Sequence, residues 1–233
     1  GELPQQTSAA GRNKQAPSVY SWTKMDTGES RVLSIYDTAG EDVKSRDHAL
    51  LQQHLTAANA VVLVIDPFSF PENRAKATSR GAASESDRVT ADVMDGLATL
   101  LHAPRPGGRG RRTAAKIATP VAVVVTKIDA FWDEMDPQDP LRTLGQETPY
   151  FDDAESQRIH EHLKATIQAW GGHQVINKLE SSFANYRLFG VSALGQEPDY
   201  RNGRVDGLPI PTRVVEPLLW ILHEQGFVPG RGA

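Results

Sequence analysis

The chain has 233 residues, 39% of them hydrophobic and 23% charged, a balance that suits one α/β domain with insertions, or at most one and a half. Its formal net charge of -4 predicts no general affinity for nucleic acid or for an anionic membrane. The lack of cysteine excludes disulfides, thiolate catalysis and Cys-ligated zinc or iron–sulfur clusters, and fits a reducing, cytoplasmic setting.

The longest apolar runs, around 57–65 and 121–125, are far too short to cross a bilayer, so no transmembrane segment is expected. The start, Gly1-Glu2-Leu3-Pro4, has neither the basic nor the apolar region of a secretory signal. Because the first residue is not methionine, the N-terminus reads as the end of a fragment, and 1–17 as a polar loop or the remnant of an upstream segment.

Ser18 to Lys24 alternates, Asp26-Thr27-Gly28-Glu29 supplies turn residues, and Arg31 to Tyr36 returns, which predicts a hairpin. The returning strand runs into Asp37-Thr38-Ala39-Gly40-Glu41. A carboxylate at a strand tip suits Mg²⁺ held through water beside phosphates, and Gly40, with no Cβ, lets its N–H approach a terminal phosphate oxygen. Leu50, Leu51, Leu55 and Ala58 have helical spacing within 44–59.

Ala60 to Ile65 is a continuous, largely β-branched run that reads as a strand buried on both faces of a parallel sheet. Phe68 to Ser84 reads as an inserted loop, and Val89, Val93, Leu97, Leu100 and Leu101 mark one stripe of a helix over 87–102. Arg105 to Arg112 is basic and low in complexity, read as a solvated loop in preference to a phosphate or lipid patch.

Pro120 to Val125 is a second apolar strand and leads into Thr126-Lys127-Ile128-Asp129. A polar insertion follows, within which Phe131, Trp132, Tyr150 and Phe151 read as a satellite packing cluster, with a partner site as the alternative. Asp152 or Asp153 caps a helix whose face carries Ile159, Leu163, Ile167 and Trp170, and Gly171-Gly172 stops it. His160 and His162, two apart, point to different faces and do not make a metal pair. His48 and His54 read as polar-face residues. Tyr186 to Val191 is a third core strand, delivering Ser192-Ala193-Leu194, and a last helix spans 212–225 between Pro211 and Gly226. Strands alternating with helices imply a parallel sheet with its functional loops at the carboxyl ends of the strands.

Asp37-Thr38-Ala39-Gly40, Thr126-Lys127-Ile128-Asp129 and Ser192-Ala193-Leu194 resemble, in order and position, the third, fourth and fifth motifs of the Ras-like, P-loop GTPases. The resemblance implies a three-layer α/β fold with a mostly parallel sheet and an antiparallel edge hairpin. It would span 18–226, with insertions near 67–86, 104–118 and 130–152 and a tail at 227–233, as in larger bacterial-type members. It implies GTP or GDP as ligand, Mg²⁺ held by Asp37, Gly40 near the terminal phosphate, and an effector or regulator protein as partner. Asp129 would accept the guanine N1–H and 2-amino group together, a donor pair that adenine lacks. Lys127 would lie along the base, Ala193 would offer its N–H to the guanine O6, and Thr126, Ser192 and Leu194 would complete the two base loops.

The chain departs from the pattern at three places. Thr126 stands where many members carry asparagine. Glu41 stands where many carry the glutamine that orients the attacking water, and a carboxylate there would repel the γ-phosphate, so hydrolysis is expected to be slow. No Gly-x-x-x-x-Gly-Lys-Ser/Thr occurs, and Gly11-Arg12-Asn13-Lys14, the nearest approach, has the wrong spacing and follows no strand. That loop would lie upstream, fall in a gap, or be absent from a pseudo-GTPase serving as an interaction module. Retention of a base-reading motif favours the first two. The sheet should then lack a strand between Arg31–Tyr36 and Ala60–Ile65, and these two should not pair. Thr7 and Ser8 are the candidates for a switch hydroxyl.

Overall fold

The computed structural model describes residues 18–23, 27–36, 55, 57–82, 89–101, 116–145 and 150–231. The N-terminal segment 1–17, the helix expected over 44–59 save its last residues, the basic stretch 105–112, and Asp37, Gly40, Glu41, Thr7, Ser8, His48 and His54 lie outside these.

Strands β1 (Ser18–Thr23) and β2 (Ser30–Ile35) pair antiparallel from Ser18 opposite Ile35 to Thr23 opposite Ser30. Gly28 turns the chain at φ +68°. The hairpin was expected at the edge of the main sheet. Among the described residues it is a two-stranded sheet that pairs with no strand of the main sheet, and Val19, Tyr20, Val32 and Ile35 are exposed.

The main sheet is β3 (Val61–Ile65), β4 (Val121–Val125) and β5 (Tyr186–Gly190), all parallel in that order. Val61 lies opposite Val121, and Val121 opposite Tyr186. The all-apolar β4 is central and buried at every residue. Among the described residues, β2 and β3 do not pair directly.

Between β3 and β4 lie α1 (Arg74–Arg80) and α2 (Val89–Leu101), and between β4 and β5 lie α3 (Asp153–Ala169) and α4 (His173–Ser182). One face of the sheet, with Val121, Val123, Val125 and Leu188, packs into a core with Met94 and Leu97 of α2, Leu163 and Ile167 of α3 and Ile176 and Leu179 of α4. The other face, with Ala122, Val124 and Phe189, packs on Leu219 and Trp220 of α5 (Glu216–Glu224). The result is a mixed α/β fold with helices on both faces of a parallel sheet. No helix among the described residues is long and apolar enough to cross a membrane.

Three expectations are corrected here. Val62 and Val64 are 52% and 62% exposed, so β3 is not buried on both faces. They share the face of Ala122 and Val124, and the apolar cluster built around α5 covers β4 and β5 there without including them. The supposed loop after β3 folds as two 3-10 turns, Pro67–Ser69 and Pro71–Asn73, running into α1. Each turn begins at proline, whose fixed φ suits a first helical position, and Phe68 and Phe70 are buried in the main core.

The insertion after β4 likewise contains 3-10 turns, Ile128–Glu134 and Pro140–Arg142. Its aromatic residues are divided between the layers: Phe131 stacks 4.7 Å from Trp170 in the main core, Phe151 joins the cluster under α5, and Tyr150 is exposed. The Gly171-Gly172 stop holds, α3 ending at Ala169, and is followed at once by α4, a helix not expected there, whose Val175, Ile176 and Leu179 are buried. A Cβ on Gly172 would lie 2.5 Å from Ile167 Cγ2, so this glycine allows two helices to meet closely.

Asp152 is the cap of α3, its Oδ1 accepting the Glu155 N–H at 2.9 Å. His160 faces inward, where its Nδ1 accepts the Leu188 N–H at 3.1 Å. His162 instead meets Asp139 Oδ2 at 3.0 Å. The last helix begins at Glu216, later than expected, because Thr212 pairs with Ser192 as a short antiparallel bridge. Buried Arg213 then joins Glu216 at 2.9 Å and donates to the Pro140 carbonyl at 3.2 Å.

Candidate functional site

The carboxyl ends of all three main-sheet strands converge. Thr126 continues β4, donating its N–H to Ile65 O at 3.0 Å and its hydroxyl to the same oxygen at 3.3 Å. Lys127 adopts a left-handed conformation, φ +53°, which reverses the chain into the 3-10 turn. Its Nζ reaches Asp66 Oδ2 at 2.6 Å and stands 6.0 Å above the Phe68 ring. Asp66 closes β3, and its other oxygen accepts the Phe68 N–H at 2.9 Å, capping the turn that follows. The buried Ile128 donates its N–H to Val191 O at 3.2 Å and so ties the end of β4 to the end of β5.

Asp129 is only 7% exposed. The Ser192 hydroxyl is its hydrogen-bond partner, and burial outweighs this bond, so its pKa is raised. Ser192 is itself fully buried, with Oγ accepting the N–H groups of Leu194 at 3.2 Å and Gly195 at 2.7 Å. Those bonds occupy its lone pairs and leave its proton for the Asp129 carboxylate. Leu194 O accepts the Ile210 N–H at 2.9 Å. Ala193, between these fixed points, is exposed, and its N–H donates to none of the described residues.

Thr126, Lys127, Asp129, Ser192, Ala193 and Leu194 are thus brought to one end of the sheet, as their positions after strands predicted. Asp37, Gly40 and Glu41, expected to serve metal, phosphate and water, lie outside the described residues. Among the described residues no group of three or more His, Asp or Glu side chains is arranged to hold a metal ion.

Four further residues belong to this end of the molecule. Asp66 holds Lys127. Glu197 lies near enough to Asp129 to disfavour its ionised form. Tyr200 sets its ring edge-on to Phe68, centroids 5.8 Å apart, and its buried hydroxyl has no partner among the described residues. Burial, then the charges of Asp129, Glu197 and Asp66, push that phenol's pKa up. Arg80 reaches Glu197 at 2.9 Å. The signal for Asp66 was legible, a carboxylate placed directly after an apolar strand as Asp129 is near the next. Nothing in the polar 195–210 stretch distinguished Glu197 or Tyr200.

Comparison of the chain with protein-family models, with curated proteins and with solved structures finds no match.

Proposed function

We propose that this domain binds guanine nucleotides as a GTPase-type switch with slow hydrolysis. The observation that carries the reading is Asp129, a buried carboxylate just past a central strand, whose ionised form burial disfavours more than the neutral Ser192 hydroxyl, its own backbone N–H and the charge of Lys127 together favour it. Such an arrangement costs folding free energy and is the kind kept for a ligand that brings its own donors. The guanine N1–H and 2-amino group are such a pair. Ala193, exposed with a spare N–H, suits the O6 acceptor, and Lys127, held at its tip by Asp66, has an aliphatic stem able to cover one face of the base.

Phosphate chemistry rests on the sequence resemblance alone. Asp37, two residues past the end of β2, is the carboxylate to hold Mg²⁺, which would neutralise charge on the phosphates, and Glu41 is the residue to position water. The phosphate-binding loop is proposed to arrive on a strand beside β3. In favour of this, β3 pairs with no described strand on its outer edge, and Val62 and Val64 present an apolar surface that an added helix would cover. The parent reading frame should therefore encode Gly-x-x-x-x-Gly-Lys-Ser/Thr; a complete frame without it would leave a guanine-binding interaction module that does not hydrolyse GTP.

Calorimetric titration of the full-length protein with GDP, GTP, ADP and ATP tests the reading. Saturable binding of guanine nucleotides, lost in Asp129→Asn, is expected. Equal affinity for GDP and ADP, or binding indifferent to Asp129→Asn, would overturn it.

A further inference from the structure

Asp129 and Ala193 come from loops more than 60 residues apart, and both must face one planar base, so something has to fix one loop relative to the other. The Ser192–Asp129 bond does so from within. A second link lies on the outer side. The Arg80 guanidinium at the end of α1 donates through Nη1 to the carbonyl oxygen of Ala130, the residue after Asp129, and to Glu197 Oε1 at 2.9 Å. Its Nη2 faces Glu134 Oε1 at 3.5 Å. Ala130 and Glu197 lie 50 and 117 residues further along the chain.

The preceding residue repeats the link. The Ser79 carbonyl accepts from Arg201 Nη2 at 2.6 Å, and the Arg201 side chain lies across Gly81, where a Cβ would approach its Cγ to 2.5 Å. The end of α1 is thereby bolted to both ends of the 197–201 loop, and through Arg80 to the turn carrying Asp129.

We propose that Arg80 is a positioning residue for the guanine base, its fork holding the Asp129 turn and the loop after Ser192 in register. The proposal rests on the guanine-site reading and adds to it a residue that touches no ligand. A planar guanidinium suits the task because it serves a carbonyl and a carboxylate from fixed directions, which an ammonium cannot do. It also pairs the Glu197 charge that would otherwise act on Asp129 alone.

The test compares binding of GDP and IDP, which lacks the 2-amino group, to the full-length protein and to Arg80→Ala, Arg80→Lys and Asp129→Asn. If Arg80 orients the carboxylate, Arg80→Ala weakens GDP binding by about tenfold, the size of one lost charge-assisted hydrogen bond, and IDP binding by less. Arg80→Lys falls between wild type and Arg80→Ala. A general loosening of the fold would lower both affinities equally, so equal losses, or none, overturn the proposal while an intact Asp129→Asn effect leaves the guanine site standing. If wild type does not prefer GDP to ADP, the underlying reading fails and the clamp falls with it. Should Arg80→Ala not fold, as judged by circular dichroism, Arg80→Lys and Glu197→Gln carry the same comparison: a larger loss for GDP than for IDP supports the clamp, and equal losses or none overturn it.

Discussion

Lys127 crosses from the end of β4 to Asp66 at the end of β3, with Nζ and Oδ2 2.6 Å apart. Both side chains are partly open to water, 41% and 33% exposed, so the pair is worth no more than about 1 kcal/mol to the fold. Its value is directional. It draws the lysine stem across the end of the sheet, above Phe68.

Asp66→Asn separates that role from stability. The amide oxygen still caps the Phe68 N–H, while the ionic hold on Lys127 is lost. Chemical denaturation should register a loss of less than about 1 kcal/mol, and GDP affinity should fall several-fold by a larger free energy than stability does. A midpoint shift as large as the affinity loss would show that Asp66 acts on the fold.

Asp129→Asn should move stability and binding in opposite directions. The folded state raises this carboxyl's pKa above 3.8, so the native protein holds the proton more tightly than the unfolded chain does. Its contribution to stability is then lost as pH rises through the folded pKa, and the ionised group is a net cost at neutral pH. An uncharged amide of the same shape removes the cost. Thermal melts of the ligand-free protein at pH 7 should give a midpoint unchanged or higher, while binding shifts from guanosine to xanthosine nucleotides, whose 2-oxo group accepts from the new amide. A lowered melting temperature would mean that the charge has a stabilising partner.

His160 governs a second, acidic limit. Burial, helped by the charges of Arg187 and Lys164, lowers its pKa from 6.5 to about 4; the ring lies beside Tyr186, and its Nδ1 accepts from the Leu188 N–H. The unfolded chain takes up the proton first, so stability is full above pH 6.5 and declines toward about pH 4 by roughly 3 kcal/mol at most. His160→Gln keeps an acceptor for Leu188 without a titrating ring. Urea midpoints between pH 6.5 and 5 should fall for wild type and stay flatter for the variant; parallel curves would exonerate His160.

Two glycines separate strain from crowding. Gly195 and Gly203 both have positive φ, +69° and +63°, yet a Cβ on Gly195 would stand 2.1 Å from Ile210 O whereas one on Gly203 meets nothing. Gly203→Ala should therefore cost about 1 kcal/mol of backbone strain. Gly195→Ala should cost more and, by pushing Leu194 away from Ile210, weaken nucleotide binding as well. Equal effects of the two substitutions in paired melts and GDP titrations would remove the Ser192–Gly195 loop from the site.

The three main-sheet strands were legible because β3 and β4 are unbroken apolar runs and β5 is apolar but for Arg187, and the residues directly after such runs gather at one end of a parallel sheet. Thr126, Asp129 and Ser192 were found that way. Helix α1 was hidden by Pro67 and Pro71, which signal a break in a local reading but here start turns that deliver Phe68 and Phe70 to the core. Helix α4 was hidden by the glycine pair, whose close approach to Ile167 is a tertiary fact. Arg80, Glu197 and Tyr200 matter only through partners distant in sequence, and no local pattern carries that information.

The open side of β3 has a bearing on how the protein behaves in the test tube. Ala60-Val61-Val62-Leu63-Val64-Ile65 is uncharged, free of proline and rich in β-branched residues, with Val62 and Val64 turned outward and no described strand along its outer edge. A flat apolar edge of this kind is a template for cross-β stacking of one molecule upon the next. Without the further strand and helix proposed for that edge, a lysine at Val62 or Val64, the device natural edge strands use as a gatekeeper, should raise the concentration at which light scattering first detects aggregates of residues 1–233.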